Sequence, residues 1–237
     1  MSVIFVSTHF PKIRLGYTTN TQGFSREAFA KFNLSEQVGD DPKAVKDNRQ
    51  LFSSYLNKLD IKWLNQQHTN IVSYFDIYND EPSDAIYTDK PNQVCITLTA
   101  DCLPILLFDK KRSKVAAVHA GWRGLANGVL EATLKEFVGY DLVAWLGPCI
   151  TNKYFEVGQD VYDIYVDKHE DYKYAFKAIG NNKYLFDMKL VARDILMKNH
   201  CLDVIDSGLC TYSDKRLYSF RRDNVTGRLA SFIWFEE

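Results

Sequence analysis

The sequence predicts an α+β fold in a single domain spanning residues 1–237, with a mixed sheet flanked by helices. Three observations carry this. Apolar, β-rich runs of strand length are mixed with amphipathic stretches, without the regular βαβ order of a doubly wound sheet. No GxGxxG, GxxxxGK[ST], GxSxG or HExxH motif occurs. No repeat, low-complexity tract or Pro/Ser-rich linker divides the chain.

In chain order, GYTTNTQGFSREAFAKFNL reads as strand ends and irregular loop, because Gly, Thr, Asn and Ser dominate it. Asp41-Pro42 supplies an N-cap and a proline for the first helical position. The helix should run to about Leu59, with Val45, Leu51, Phe52, Tyr55, Leu56 and Leu59 on its inner stripe. IKWLNQQH and NIVSYFDI read as short strands. VCITLTAD, LPILLFD and KVAAVHA are apolar runs of strand length between polar breaks. LANGVLEATLKEFV is amphipathic and helical, and LVAWLGP is another buried strand. Helices are expected over about Val157–Asp171 and, capped by Asp187, through MKLVARDILMKNH. RLYSFRRD and RLASFIWF, separated by Asn224-Val225-Thr226-Gly227, suggest a β-hairpin.

Composition narrows the function classes. A formal net charge of −1 with interspersed signs gives no footprint for nucleic acid or anionic membranes. MSVIFVSTHFPK lacks the basic n-region of a signal peptide, and the apolar run Leu103–Phe108 is far short of a membrane span. A cytoplasmic protein is expected. Five cysteines, at 95, 102, 149, 201 and 210, form no CxxC pair. That argues against a disulfide framework or a four-cysteine zinc site.

Of five histidines, His169 lies in a charged run, His200 at a helix C-terminus and His9 before Phe-Pro, where none needs a function. His68, His119 and Cys102 each end a strand-like segment, and Cys102 and His119 also end or interrupt an apolar run, where packing alone would favour Val or Leu. Two imidazoles and a thiolate suit zinc, and three protein ligands leave a fourth position open for water or substrate. The same set, with a weak axial Met, suits copper. Cys102 and His119 alone could instead form a nucleophilic thiolate–imidazole dyad. Sequence gaps of 34 and 17 residues match no short ligand motif, so residue types leave these readings open.

Gln66-x-His68, Ala100-Asp101-Cys102-x-Pro104 and His119-Ala-Gly-Trp-Arg-Gly124 resemble motifs of the YfiH/laccase-domain family. Gly147-Pro148, Glu156-Val157-Gly158, Cys210-Thr211, Ser219-Phe-Arg221-Arg222-Asp223 and Thr226-Gly227-Arg228 extend the likeness over nearly the whole chain. Members are described both as polyphenol oxidoreductases and as purine nucleoside phosphorylases. The resemblance implies a four-layer α/β/β/α domain and a metal, usually zinc, on His68, Cys102 and His119. It also implies phosphorolysis of adenosine, inosine, guanosine and methylthioadenosine, with deamination of adenosine. Copper-dependent phenol oxidation is the older label, yet five histidines are too few for a multicopper oxygen-reducing cluster. A non-catalytic role, or correction of peptidoglycan precursors, is a further reading. Two positions depart from the pattern: Asn20 stands where an arginine is expected, and Thr69 replaces a glycine.

Other residues fall into place around this set. Asp101, beside a ligand, is either a carboxylate supporting the metal, a general acid/base, or a turn former. Arg123, between two glycines at a helix start, combines a guanidinium fork with exposed N–H donors and suits phosphate. Arg49 and Arg221 are further candidates for holding an anionic substrate group. Trp122 reads as core.

Overall fold

The computed structural model describes residues 1–111 and 113–237. Its elements are β1 (Val3–Val6), β2 (Ile13–Thr18), α1 (Pro42–Tyr55), β3 (Asp60–Lys62), β4 (Val72–Tyr74), β5 (Ala85–Thr88) and β6 (Gln93–Thr99). There follow β7 (Leu103–Asp109), β8 (Val115–Ala120), α2 (Trp122–Asn127), α3 (Val129–Lys135), β9 (Leu142–Leu146), β10 (Glu156–Gly158) and α4 (Gln159–Lys168). The last are β11 (Phe176–Gly180), β12 (Lys183–Phe186), α5 (Met188–Lys198), β13 (Asp203–Asp206), α6 (Phe220–Asp223) and β14 (Leu229–Phe235).

Two large sheets face one another. The first has the order β1-β2-β14-β6-β3, and the second β13-β9-β7-β8-β5-β4. Side chains alternate across each strand. Ile13, Leu15, Cys95 and Ile233 of the first sheet therefore meet Leu106, Phe108, Ala117 and Trp145 of the second between the layers. On the first sheet's outer face, Val94, Ile96, Phe232 and Trp234 pack with Phe52 and Leu56 of the α1 region. On the second sheet's outer face, Leu103, Ile105, Leu107 and Val118 pack against Leu130, Val161 and Ile195 of the helices. The result is the four-layer α/β/β/α arrangement of an α+β domain. β7 is buried along its whole length, which is why its sequence is a continuous apolar run. A small antiparallel sheet, β10-β12-β11, adds to the helical side. Among the described residues no helix is long and apolar enough to cross a membrane.

Several elements differ from the sequence expectations. Asp41 caps α1 through Lys43 N at 3.0 Å, but the helix stops at Tyr55, four residues short of Leu59. The stretch expected as one helix from Leu125 is split by Gly128, whose φ of 89° interrupts the regular backbone between α2 and α3. Glu156–Gly158 are drawn into β10, so α4 begins at Gln159 and ends at Lys168, followed by a 3-10 turn. The expected C-terminal hairpin does not form. Ser219 accepts a hydrogen bond from Arg222 N at 3.3 Å and opens α6, while β14 pairs with β2 and β6 instead. Of IKWLNQQH only Ile61 and Lys62 are strand, at the end of β3 (Asp60–Lys62), and of NIVSYFDI only Val72–Tyr74.

Candidate metal centre

Antiparallel pairing of β7 with β8 sets Pro104 opposite His119, which brings that histidine beside the turn joining β6 to β7. Cys102 sits in this turn, directly before β7. Asp101 precedes it with a φ of 90°, a conformation that turns the chain sharply. His68 is not at a strand end, as the sequence suggested, but in the loop after β3, with a φ of 58°. The three segments converge. Cys102 Sγ lies 3.7 Å from His68 Nε2, and one donor atom from each of His68, Cys102 and His119 falls within 4.8 Å of the others. The two imidazole rings are 4.7 Å apart at 63°.

What holds this trio is Asp84, a fully buried carboxylate just before β5 that sequence reasoning missed. Its Oδ1 accepts from His119 Nδ1 at 2.7 Å and from His68 N at 3.0 Å. Its Oδ2 accepts from Thr69 N at 2.6 Å, Thr69 Oγ1 at 2.8 Å and Gln67 N at 3.1 Å. Burial pushes the Asp84 carboxyl up, but His119 and the Thr69 donors outweigh it and hold it at about 2. The hydroxyl of Thr69, where the family pattern has glycine, thus joins the network. Burial likewise raises the Cys102 thiol, yet His119 and His68 bring it down to about 6. Burial lowers His119, and Cys102 with Asp84 raise it to about 9. The centre therefore favours thiolate, the form of cysteine that ligates metals.

The donor set fits a divalent ion. Four-coordinate zinc with bonds of about 2.0–2.3 Å holds its ligands roughly 3.5 Å apart, close to the His68–Cys102 separation. All three residues line one cavity of about 1020 Å³, so the remaining side of the cluster is open to a guest. With Nδ1 of His119 committed to Asp84, its Nε2 is the nitrogen left for the centre.

The other expected site residues have distinct places. Asp101 is buried, and both its oxygens are occupied, by Thr211 Oγ1 and by Arg221 N, each at 2.6 Å. It clamps the cysteine-bearing turn to the start of α6. Arg49, Arg123 and Arg221 all line the cavity. Arg49 is engaged as a brace: it donates to Leu34 O and Glu36 and lies 4.2 Å over the Trp63 ring. Arg221 gives one Nη to Glu156 O at 2.8 Å. Arg123 stacks on Trp122 at 4.1 Å, and no protein acceptor holds its guanidinium among the described residues. Arg228 also lines the cavity and was not singled out from sequence. Asn20 is spent on Lys215 O at 3.0 Å and is not among the cavity's lining residues.

The sequence profile of the family described as "Multi-copper polyphenol oxidoreductase laccase" matches residues 14–236. The chain belongs to this family. A Haemophilus influenzae protein named purine nucleoside phosphorylase is 40% identical over the full length of both chains. The Escherichia coli protein named purine nucleoside phosphorylase YfiH is 38% identical, over 92% of this chain and 91% of its own. Among solved structures, a Neisseria meningitidis protein superposes with a TM-score of 0.94 at 36% identity, covering all of both chains. Bacillus licheniformis YfiH gives 0.90 at 27% identity, over 99% of this chain and 97% of its own.

Proposed function

We propose that this laccase-family chain is a metal-dependent purine nucleoside phosphorylase that takes adenosine, inosine, guanosine and methylthioadenosine, and that also deaminates adenosine. The observation that carries the reading is a His–Cys–His cluster opening into an arginine-lined cavity, in a chain 40% identical to a protein named purine nucleoside phosphorylase. His68, Cys102 and His119 hold the ion, zinc in preference to copper, because borderline-soft nitrogen and sulfur donors in a group of three suit it. When bound, such an ion supplies Lewis acidity at the cavity wall.

The protein's own groups do the rest. Arg123, stacked on Trp122 and with no hydrogen-bond acceptor among the described residues, offers a two-pronged contact to inorganic phosphate, and Arg221 keeps part of its fork for the same anion. Arg49 is part of the cavity wall. Asp101 keeps the turn rigid so that Cys102 stays aimed at the cluster. The five free thiols suit a reducing compartment such as the cytoplasm. Phenol oxidation by a multicopper cluster is disfavoured, since among the described residues two imidazoles enter the centre.

The test is nucleoside turnover against phosphate concentration. Adenosine or inosine should be consumed faster as phosphate rises, releasing free base and ribose 1-phosphate. Arg123→Lys should weaken phosphate dependence more than nucleoside affinity, and Arg123→Ala should do so further with metal content intact. Turnover indifferent to phosphate in the wild type would exclude phosphorolysis.

A further inference from the structure

We propose that Asp84 is the positioning residue of the centre: one buried carboxylate that fixes both histidines, the ring of His119 and the loop presenting His68. The proposal rests on the reading of the cluster as a divalent-ion site. A carboxylate can only accept hydrogen bonds, and here two oxygens receive five donors from two separate segments. Three consecutive backbone N–H groups, from Gln67, His68 and Thr69, turn inward on it. That concave run of donors keeps His68 in a left-handed conformation which a non-glycine residue adopts only when its surroundings impose it. On the other side, the short contact to His119 requires the proton on Nδ1 and leaves the Nε2 lone pair for the cluster.

The backbone adds a third tie. The carbonyl of Asp84 accepts from His119 N at 2.7 Å, so the residue holds the strand as well as the ring. Among the described residues no Lys or Arg pairs with this carboxylate, so its charge is balanced by the centre itself. It follows that the two histidines are not independent: both are lost together when the carboxylate changes. Asp84→Asn makes this concrete. The amide has one acceptor oxygen and one NH2, and the NH2 must face one of the two donor groups. Facing the loop, it repels Gln67 N and both Thr69 donors. Facing His119, it demands an acceptor at Nδ1 and moves the ring proton to Nε2.

The experiment has two arms. In the first, zinc affinity of wild type and Asp84→Asn is measured by competition with a chelator, together with the visible spectrum of the cobalt-substituted proteins. The expected result is affinity weaker by about 10–100-fold and a changed cobalt spectrum; zinc binding within twofold of wild type overturns the proposal. The second arm needs no variant. Nitrogen-15 NMR of the metal-free wild type, with the His119 ring neutral, should find the proton on Nδ1. A proton on Nε2 overturns the proposal, whether or not Asp84→Asn folds. Zinc failing to bind the wild type would overturn the metal reading alone, because the second arm still decides the role of Asp84.

Discussion

Gly121 lies where the Cys102 thiol and the His68 imidazole crowd the chain. A Cβ built there would lie 2.7 Å from His68 Cδ2 and 2.9 Å from Cys102 Sγ. Its φ of −62° is open to any residue, so the constraint is space and not backbone freedom. This is the physical reason for a glycine two residues after His119. Gly121→Ala must displace His68 or Cys102, and the centre is the part that gives. We expect zinc affinity to fall at least tenfold, with an overpacking cost of about 1–3 kcal/mol in fold stability. Chelator competition and denaturant melts on the same preparation measure both. Unchanged zinc affinity would show that the His68 loop yields without cost to the cluster.

β6 ends in a buried hydroxyl with no hydrogen-bond partner among the described residues, that of Thr99. An unsatisfied buried donor costs about 1–3 kcal/mol, and Val keeps the branched shape without the polar atom. Thr99→Val should therefore raise stability by about 1 kcal/mol. A clear drop in a urea melt would mean that the hydroxyl is engaged. Elements differ in how openly the sequence declares them. β7, β8 and β9 were legible because burial on both faces leaves only apolar residues. α5 was legible from its cap, Asp187, which accepts from Lys189 N and Leu190 N. β11 was not, since most of its residues are exposed and FKAIG carries no alternating pattern. RLYSFRRD looked like a strand because local alternation hid the capping role of Ser219. At the centre, Cys102 and His119 were legible as polar interruptions of apolar runs on neighbouring strands. Asp84 was not, because its partners lie 16 and 35 residues away. The readable trace was an acid directly before the apolar strand AIYT.

Across the whole molecule, β14 occupies the middle of the first sheet although it comes after every other strand in the chain. Its Phe232 is fully buried, sits opposite Gly16 and packs edge-on against Phe52 of α1 at 5.3 Å. A Cβ on Gly16 would lie 2.7 Å from that ring, so the small residue makes the room that the aromatic fills. Phe232→Ala removes the ring that β14 packs on Phe52, leaving Val94, Ile96 and Trp234 in that layer, and should cost about 3–5 kcal/mol. Denaturant unfolding checks it; a loss below about 1 kcal/mol would mean that the layers collapse to close the gap. The central place of β14 also bears on biosynthesis. Leu229 stands 130 residues after Thr99. At about 5–20 residues per second, β6 waits roughly 6–26 s for its neighbour. Throughout that interval β2 and β6 present open, hydrogen-bond-hungry edges to anything nearby in the translating cell. The cavity wall waits with them, since Arg221 and Arg228 are translated just before β14. A nascent chain of this protein thus passes through a long stage, more than half of its translation, in which its inner sheet is sticky and its guest has nowhere to bind, and it is over this stage that shielding by chaperones is needed most.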